Sequence, residues 1–187
     1  MLTIGMLLIA TAGGWFVYNM IEDRNAGVYA GDILVAMNNQ DESAIATHED
    51  YSTVNIEDED FCGRIIIEKL GVELPVFERW DYAKLKKAPC RYSGYAATKD
   101  MIIAAHNYKS HFGNIHELQE GDQIVFVDVL GEMFCFKVKE VTLLDGSAVE
   151  NMKAGEWDFT LFTCTKGGKQ RVTVRCEYVV DGMKKAE

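Results

Sequence analysis

The sequence lacks the motifs that most often indicate a bound metal or a redox pair. Its five cysteines include no CxxC pair, and HExxH does not occur. His106, His111 and His116 recur every five residues, a spacing that matches neither one face of a helix nor a zinc motif. No internal repeat or low-complexity tract is present. We therefore expect no metal site and no cofactor.

Positive charge is in deficit, with 19 basic against 29 acidic residues and a formal net charge of -10. A phosphate backbone would be repelled by such a chain, which argues against nucleic acid as a partner. Residues 41–60 hold eight of the acids and no Lys or Arg, so the rest of the chain, with 21 acids, is nearly neutral. We interpret this stretch as a solvated acidic spacer.

Charged side chains are absent from Leu2 to Ile21. About twenty helical residues extend roughly 30 Å, the thickness of a bilayer's hydrocarbon core. Trp15 and Tyr18, near the end of the run, suit a membrane interface. A cleaved signal peptide is the alternative, but no basic leading region or small-residue cleavage site is evident. We predict a transmembrane signal anchor over residues 1–24.

The chain beyond the anchor divides into a connecting segment and a folded domain. Apolar spacing predicts a short helix over residues 27–37, so residues 25–60 are expected to form a juxtamembrane helix and the acidic spacer. From Phe61 to residue 187, short β-like runs predict an all-β barrel or sandwich. We predict strands near 63–67, 73–77, 101–105, 123–129, 132–144, 159–164 and 171–180, and short helices at 82–86, 114–118 and 148–153.

Alternation along the last predicted strand separates two faces. The apolar face is expected to be core, and it comprises Val172, Val174, Cys176, Tyr178 and Val180. The other face is expected to be accessible, and it comprises Arg171, Thr173, Arg175 and Glu177. On the preceding strand, Cys164 shares a face with Phe162 and Thr160. Periodicity alone does not say whether the two polar faces meet.

Cys164 is the candidate nucleophile. It ends a predicted strand, and a glycine-containing loop separates it from Arg171, seven residues later. Only a thiolate attacks, and a neighbouring positive charge favours that form. We interpret the other four cysteines as small buried hydrophobes, with a disulfide among them left open: Cys62, Cys90, Cys135 and Cys176.

His106 is the candidate for proton transfer, because it directly follows an apolar strand and would present its imidazole at a barrel rim. His111 is expected in a loop or at the surface, and His116 on a short helix. His48 lies in the acidic spacer and has no expected chemical role.

These residues together resemble the sortases, cysteine transpeptidases of Gram-positive bacterial surfaces. The resemblance rests on Thr160–Thr165 (TLFTCT) with an arginine opening the next strand, on a strand followed by His-Asn, and on the amino-terminal anchor. Leu74-Pro75-Val76 also fits, and the similarity covers about residues 61–181. It implies a closed eight-stranded β-barrel with short helices and an active site at one rim.

The resemblance also implies roles for particular residues. Cys164 would be the nucleophile and His106 the general acid and base. Arg171 would stabilise the oxyanion or the substrate, with Arg175 as the alternative. Thr163 and Asn107 would belong to the substrate-binding environment.

The implied reaction is cleavage of an LPxTG-like sorting signal between Thr and Gly, through a thioester, with transfer to an amine acceptor on the cell wall. The partners would be surface proteins that carry sorting signals, and a peptidoglycan precursor or another amine acceptor. The enzyme would cross the cell membrane once, with its catalytic domain outside the cell. A thiol hydrolase or protease on the same barrel, a pilin-polymerising sortase and a tethered binding domain remain alternatives.

Two absences bear on the sortase class. No second membrane helix follows the last strand, and Glu59-Asp60-Phe61 lacks the proline of the aspartate-proline-aromatic lid motif. Both favour a housekeeping or anchoring enzyme over a pilus polymerase. Residues 87–94 and 106–113 look more like class B or unclassified clostridial sortases than class A.

Overall fold

The computed structural model describes residues 2–147 and 157–179. This part of the chain forms one long helix, α1 (Leu2–Asn38), and ten strands. The strands are β1 (Ile45–Thr47), β2 (Ser52–Ile56), β3 (Glu59–Ile67), β4 (Val72–Phe77), β5 (Cys90–Ser93), β6 (Met101–Ala104), β7 (Gln123–Asp128), β8 (Met133–Asp145), β9 (Phe159–Cys164) and β10 (Gln170–Tyr178). Short 3-10 turns lie at Glu42–Ala44, Glu68–Leu70, Lys84–Lys86 and Ile115–Glu117. The helix predicted at 148–153 lies outside the described residues.

Helix α1 joins two segments that the sequence pattern separates. The apolar run and the helix predicted at 27–37 are one continuous helix. By length and composition, Thr3–Asn38 is a candidate membrane span. The first two-thirds of the helix exposes large apolar side chains, whereas Ala26, Ala30 and Ile33 are buried. The second part of α1 therefore packs on the folded domain.

The strands close into a barrel because β3 pairs with both β4 and β7. The closed ring has eight strands in the order β3, β4, β5, β6, β9, β10, β8, β7. Two of its pairings, β4 with β5 and β6 with β9, are parallel, and the others are antiparallel. The predicted eight-stranded closed barrel is thus confirmed.

Strands β1 and β2 lie within the stretch that the charge pattern predicts to be a spacer. β2 pairs with β3, and its Val54 and Ile56 are buried against Ile33 of α1 and two phenylalanines of the barrel. The acids Glu57 and Asp58 occupy the tight turn between β2 and β3, both with positive φ. Acidic residues therefore occupy turn and exposed positions here, while the apolar ones hold the segment on the barrel.

Gly63 permits the close approach of β3 and β7 that closes the ring. A Cβ at this position would lie 2.3 Å from the carbonyl oxygen of Val127 and 2.7 Å from the ring of Phe126. The ladder between β3 and β4 is also irregular between Phe61 and Gly63. The absence of a side chain at Gly63 is therefore a requirement of barrel closure.

We expect Gly63→Ala to lower the free energy of unfolding by about 1–3 kcal/mol, because backbone on a neighbouring strand must move to admit the methyl group. The matched control is Gly31→Ala in α1, where nothing lies within 4 Å of the added Cβ. That control should be neutral or slightly stabilising. Urea unfolding of the two variants in the same detergent measures the difference, and equal stabilities would contradict the closure argument.

Candidate active site

Cys164 and Arg171 face each other across neighbouring strands. β9 and β10 are antiparallel, and Cys164 is directly opposite Arg171 in their ladder. The guanidinium Nη1 donates a hydrogen bond to the Cys164 Sγ at 3.1 Å. Cys164 is exposed and Arg171 is half-buried. The accessible sulfur of Cys164 is therefore in direct contact with a fixed cation.

Arg175 lies elsewhere, and the expectation that both arginines are accessible is wrong. Its side chain is buried, and its Nη1 donates a hydrogen bond to the Thr160 hydroxyl at 2.9 Å. Burial lowers the pKa of Arg175, and the nearby Glu140 carboxylate partly offsets this. The Arg175 guanidinium therefore hydrogen-bonds within the barrel wall, and Arg171 is the arginine that contacts the Cys164 thiol.

His106 stands on the other side of Cys164. β6 and β9 are parallel and place Ala104 beside Phe162, so the positions two residues further on, His106 and Cys164, are level. The backbone N–H of Ala105 continues this pairing by donating to the Phe162 carbonyl at 3.2 Å. The backbone positions of His106, Cys164 and Arg171 are thus level, in that order: just past the end of β6, on β9 and on β10.

The environment of His106 favours its neutral form. The side chain is half-buried, and burial is the main cause that lowers the pKa of His106 below 6.5. Its ring stacks on Tyr108 with centroids 4.1 Å apart. A neutral imidazole can accept a proton, and the protonated ring can donate one.

Thr163 fixes the relative position of the two strand ends. Its side chain is 2% exposed, and the hydroxyl donates a hydrogen bond to the Ala105 carbonyl at 2.8 Å. This bond ties the residue before Cys164 to the residue before His106. Asn107 is half-buried beside His106. Contact of Thr163 and Asn107 with substrate stays a prediction.

The loop after His106 is held by helix α1, through a residue that sequence reasoning missed. The Asp23 carboxylate accepts hydrogen bonds from the backbone N–H of Lys109 at 3.1 Å and of Ser110 at 3.0 Å. The Ser110 hydroxyl donates to the Asp23 carbonyl at 3.0 Å. Across a separation of more than 80 residues, no local sequence signal could have paired these segments.

His111 lies in a loop, as expected, but its side chain is buried and is not at the surface. It is 1% exposed and lies next to Tyr108, whose ring centroid is 5.5 Å from its own. Burial lowers the pKa of His111 to about 4, and the neighbouring His106 adds to the effect. The His111 side chain is therefore neutral in the folded protein at pH 7. His116 lies on a short 3-10 turn, as predicted.

His111 should make the stability of the barrel depend on pH. Between pH 4 and 6.5, His111 binds a proton in the unfolded chain, where its pKa is near 6.5. It does not bind one in the folded state, where its pKa is about 4. Stability is fully present above pH 6.5 and falls by roughly 3 kcal/mol as the pH drops towards 4. Denaturant unfolding between pH 7.5 and 4 measures this loss.

The variant His111→Gln should flatten the pH dependence between pH 6.5 and 4, whatever its effect on absolute stability. His116→Gln is the matched control, since His116 is exposed. That control should retain the full pH dependence. Identical pH slopes in the two variants would show that His111 is not the responsible group.

The remaining cysteines differ from Cys164 in their surroundings. Cys62, Cys90 and Cys176 are buried, and no disulfide joins the five cysteines, all of which lie in the described ranges. Burial raises the pKa of the Cys62 and Cys90 thiols to about 12 and that of Cys176 further. Cys135 is half-buried on β8. Buried, protonated thiols are poor nucleophiles, which leaves Cys164 as the accessible one.

An exposed thiol between an imidazole and a guanidinium is the arrangement that nucleophilic cysteine catalysis requires. The family model for the sortase domain matches residues 65–179. This match covers more than half of the chain, and the chain belongs to the sortase family. The comparison with curated protein sequences gives no match.

Solved sortase structures share the fold. Sortase A from Corynebacterium diphtheriae superposes with a TM-score of 0.60 at 21% identity, over 67% of this chain and 64% of that one. A Clostridium perfringens sortase D5 transpeptidase gives a TM-score of 0.56 at 26% identity, over 64% and 79%. Sortase C from Clostridium perfringens SM101 gives 0.59 at 20% identity, over 80% and 97%. These are named as sortases A, D5 and C, and the predicted likeness to class B or unclassified clostridial sortases stays a prediction.

Proposed function

We propose that this chain is a sortase-type cysteine transpeptidase that cleaves an LPxTG-like sorting signal between Thr and Gly. The surface protein, cut from the end of its sorting signal, would be transferred to an amine acceptor on the cell wall. The observation that carries the proposal is the hydrogen bond between Arg171 Nη1 and Cys164 Sγ, on strands that place both groups at an accessible rim. His106, level with Cys164 on the next strand, supplies the proton carrier.

The chemistry runs in two half-reactions. His106 takes the proton of the Cys164 thiol, and the resulting thiolate attacks the carbonyl carbon of the signal's threonine, so that the carbonyl oxygen becomes an oxyanion. As the intermediate collapses, the bond to the glycine nitrogen breaks and His106 gives that nitrogen its proton, which leaves a thioester. In the second half-reaction an incoming amine attacks the thioester, His106 takes the amine's proton, and Cys164 leaves as thiolate.

Arg171 would contact both charged groups of this reaction, the Cys164 thiolate and the oxyanion. In the free enzyme its guanidinium contacts the sulfur, and its remaining N–H groups would be available to donate to the oxyanion that forms next to that sulfur. A preorganised donor of this kind acts on charge that develops in the transition state. Thr163 contributes indirectly, because its bond to Ala105 keeps Cys164 and His106 in register.

An aromatic strip beside Cys164 supports a peptide with apolar side chains as substrate. Phe162, two residues before the thiol on the same face, meets Tyr92 edge-on with ring centroids 5.4 Å apart. Leucine and proline of an LPxTG-like signal suit such a surface, because both bury apolar area against aromatic rings.

The proposed setting is the outer surface of the cell membrane, with α1 as the single-pass anchor and the barrel outside. A membrane-held enzyme of this kind meets surface proteins that carry sorting signals. The acceptor is a peptidoglycan precursor or another amine. A lysine of a second protein would make the enzyme a pilin polymerase, and water in place of the amine would make it a hydrolase.

Product analysis separates these outcomes. The full chain in detergent is incubated with a library of sorting-motif peptides, with and without a glycine-peptide amine and a lysine-containing peptide, and the products are identified by mass spectrometry. We expect Thr–Gly cleavage and a ligated product that requires the glycine amine. Free acid as the sole product in every condition would favour a thiol hydrolase, and the absence of any cleavage would overturn the proposal.

A further inference from the structure

The rim of the barrel that carries His106 and Cys164 lies next to the point on α1 where the uncharged apolar run ends. The uncharged run ends at Ile21, and Asp23 binds the backbone of Lys109 and Ser110, in the loop that follows His106. From there α1 runs along the barrel wall to Asn38, whose side-chain oxygen accepts a hydrogen bond from Arg64 at 2.6 Å. With residues 2–21 in a bilayer, the rim that carries His106 and Cys164 therefore faces the membrane.

The connection between β4 and β5 reaches the same rim. β5 begins at Cys90, which pairs with Ala104 at the end of β6, just before His106. Lys86 is close enough to His106 to contribute to its lowered pKa. Tyr82, Tyr18 and Glu22 all lie within electrostatic range of Tyr108. The Lys87 Nζ lies 5.4 Å from the ring centroid of Tyr29 on α1.

This connection, residues 79–87, is here named the basic aromatic loop. It holds four basic residues and one acid, a net charge of +3 in a chain whose net charge is -10. Lys84 is paired with Glu59, and Arg79 contacts Glu78 while 83% of its side chain is exposed. Lys86 is exposed, as is Lys109 on the neighbouring loop. The cationic groups that reach solvent on this rim include Arg79, Lys86, Lys87 and Lys109.

Exposed aromatic rings accompany these charges. Trp80 is 46% exposed and Tyr82 is 70% exposed. Tryptophan and tyrosine concentrate at membrane interfaces, where the ring sits among the headgroups and the polar atom meets water. Basic side chains near an anionic leaflet each contribute about 1 kcal/mol of attraction. Aromatic and cationic residues together, beside a membrane-spanning helix, are the composition of an interfacial contact.

We propose that the basic aromatic loop is a second membrane contact, which docks on anionic lipid headgroups beside the point where α1 enters the bilayer. Trp80 and Tyr82 enter the headgroup layer, and Arg79 and Lys86 bind its phosphates. The contact presents the mouth of the active site to the membrane surface. It concerns lipid binding and stands whether or not the transpeptidase reaction proposed above is correct.

Fluorescence of Trp80 in lipid nanodiscs tests the contact in the full chain. Trp15→Phe and Trp157→Phe leave Trp80 as the single tryptophan. We expect at least about twofold quenching of its emission in discs of brominated phosphatidylglycerol relative to unbrominated ones, since a ring at the headgroup layer meets shallow bromine atoms. Quenching should be weak in brominated phosphatidylcholine and should decrease in high salt.

Matched double variants separate specific docking from general charge. Arg79→Gln with Lys86→Gln should lower the docked-to-undocked ratio about 30-fold, which is about 2 kcal/mol at about 1 kcal/mol per basic residue. Lys137→Gln with Lys139→Gln removes the same charge near the start of β9, the end of the barrel opposite Cys164, and likewise breaks one surface ion pair. That control should leave quenching unchanged.

Three results would overturn the proposal: no quenching in brominated phosphatidylglycerol, equal quenching in both lipids, or equal loss of quenching in the two double variants. Near-identical circular dichroism of all variants establishes that each is folded.

Discussion

Replacing Cys164 by alanine is expected to abolish both cleavage and transfer, with a fall in rate of at least about 10³-fold. The reason is that the proposed thioester forms on this sulfur, and the other cysteines are buried or only partly exposed. Because the side chain of Cys164 is exposed, the variant should unfold at the same denaturant concentration as the parent chain. Mass spectrometry with a vinyl-sulfone sorting peptide measures adduct formation directly.

Cys135→Ala is the matched control for this experiment. It removes a cysteine from β8, away from the strand end that carries Cys164, and is expected to leave activity within about twofold. If Cys164→Ala still forms the adduct, or still cleaves peptide at the parental rate, the assignment of Cys164 as nucleophile is wrong.

Arg171→Ala should lower kcat/KM by about 10²–10³-fold, or about 3–4 kcal/mol, since it removes a preorganised donor at the oxyanion. The loss should fall mainly on kcat, because the donor acts on charge that develops after substrate is bound. Arg171→Lys keeps the charge but loses the guanidinium fork, and we expect it to recover only part of the rate. Steady-state cleavage of a quenched fluorescent peptide measures each variant.

Lys169→Ala controls for charge alone, because Lys169 lies two residues before Arg171 and is exposed. It should stay within about twofold of the parent. A loss in Lys169→Ala as large as that in Arg171→Ala would reduce the role of Arg171 to a general electrostatic one, and an unchanged rate in Arg171→Ala would remove it from the site.

The strand-end residues of the site were predictable because each obeys a local rule. His106 and Cys164 follow apolar strands, and Arg171 opens the strand after a short glycine loop. Alternation places Arg171 on the polar side of its strand, and the ladder sets Cys164 directly opposite it. Local periodicity and the positions of the strand ends were therefore enough to predict these three residues of the site.

Arg175 and His111 were not predictable, since burial depends on neighbours from distant parts of the sequence. Alternation puts Arg175 on the same face as Arg171, but Thr160 and Glu140 on the adjacent strands provide partners that let it be buried. His111 lies in a loop without periodicity. Its burial arises from the close approach of α1, which Asp23 secures.

Three strands, β1, β2 and β5, escaped prediction, and the reasons differ for β5 and β2. β5 is four residues long and directly follows Pro89, so it offers too few positions for alternation to show. β2 lies in a stretch whose average charge suggested solvent, although its Val54 and Ile56 are apolar. The average charge of a twenty-residue stretch does not reveal a strand of five residues within it.

The continuity of α1 restricts the movement of the whole enzyme. A helix of 37 residues is about 55 Å long and has no linker at which the barrel could swing relative to the bilayer. With α1 as the proposed membrane anchor, the thiol would stay at a fixed height during lateral diffusion, and a membrane-held substrate would be met by a search in two dimensions. A substrate would have to bring its scissile bond to that height, which makes the number of residues between its cleavage site and its own hydrophobic segment a determinant of reach.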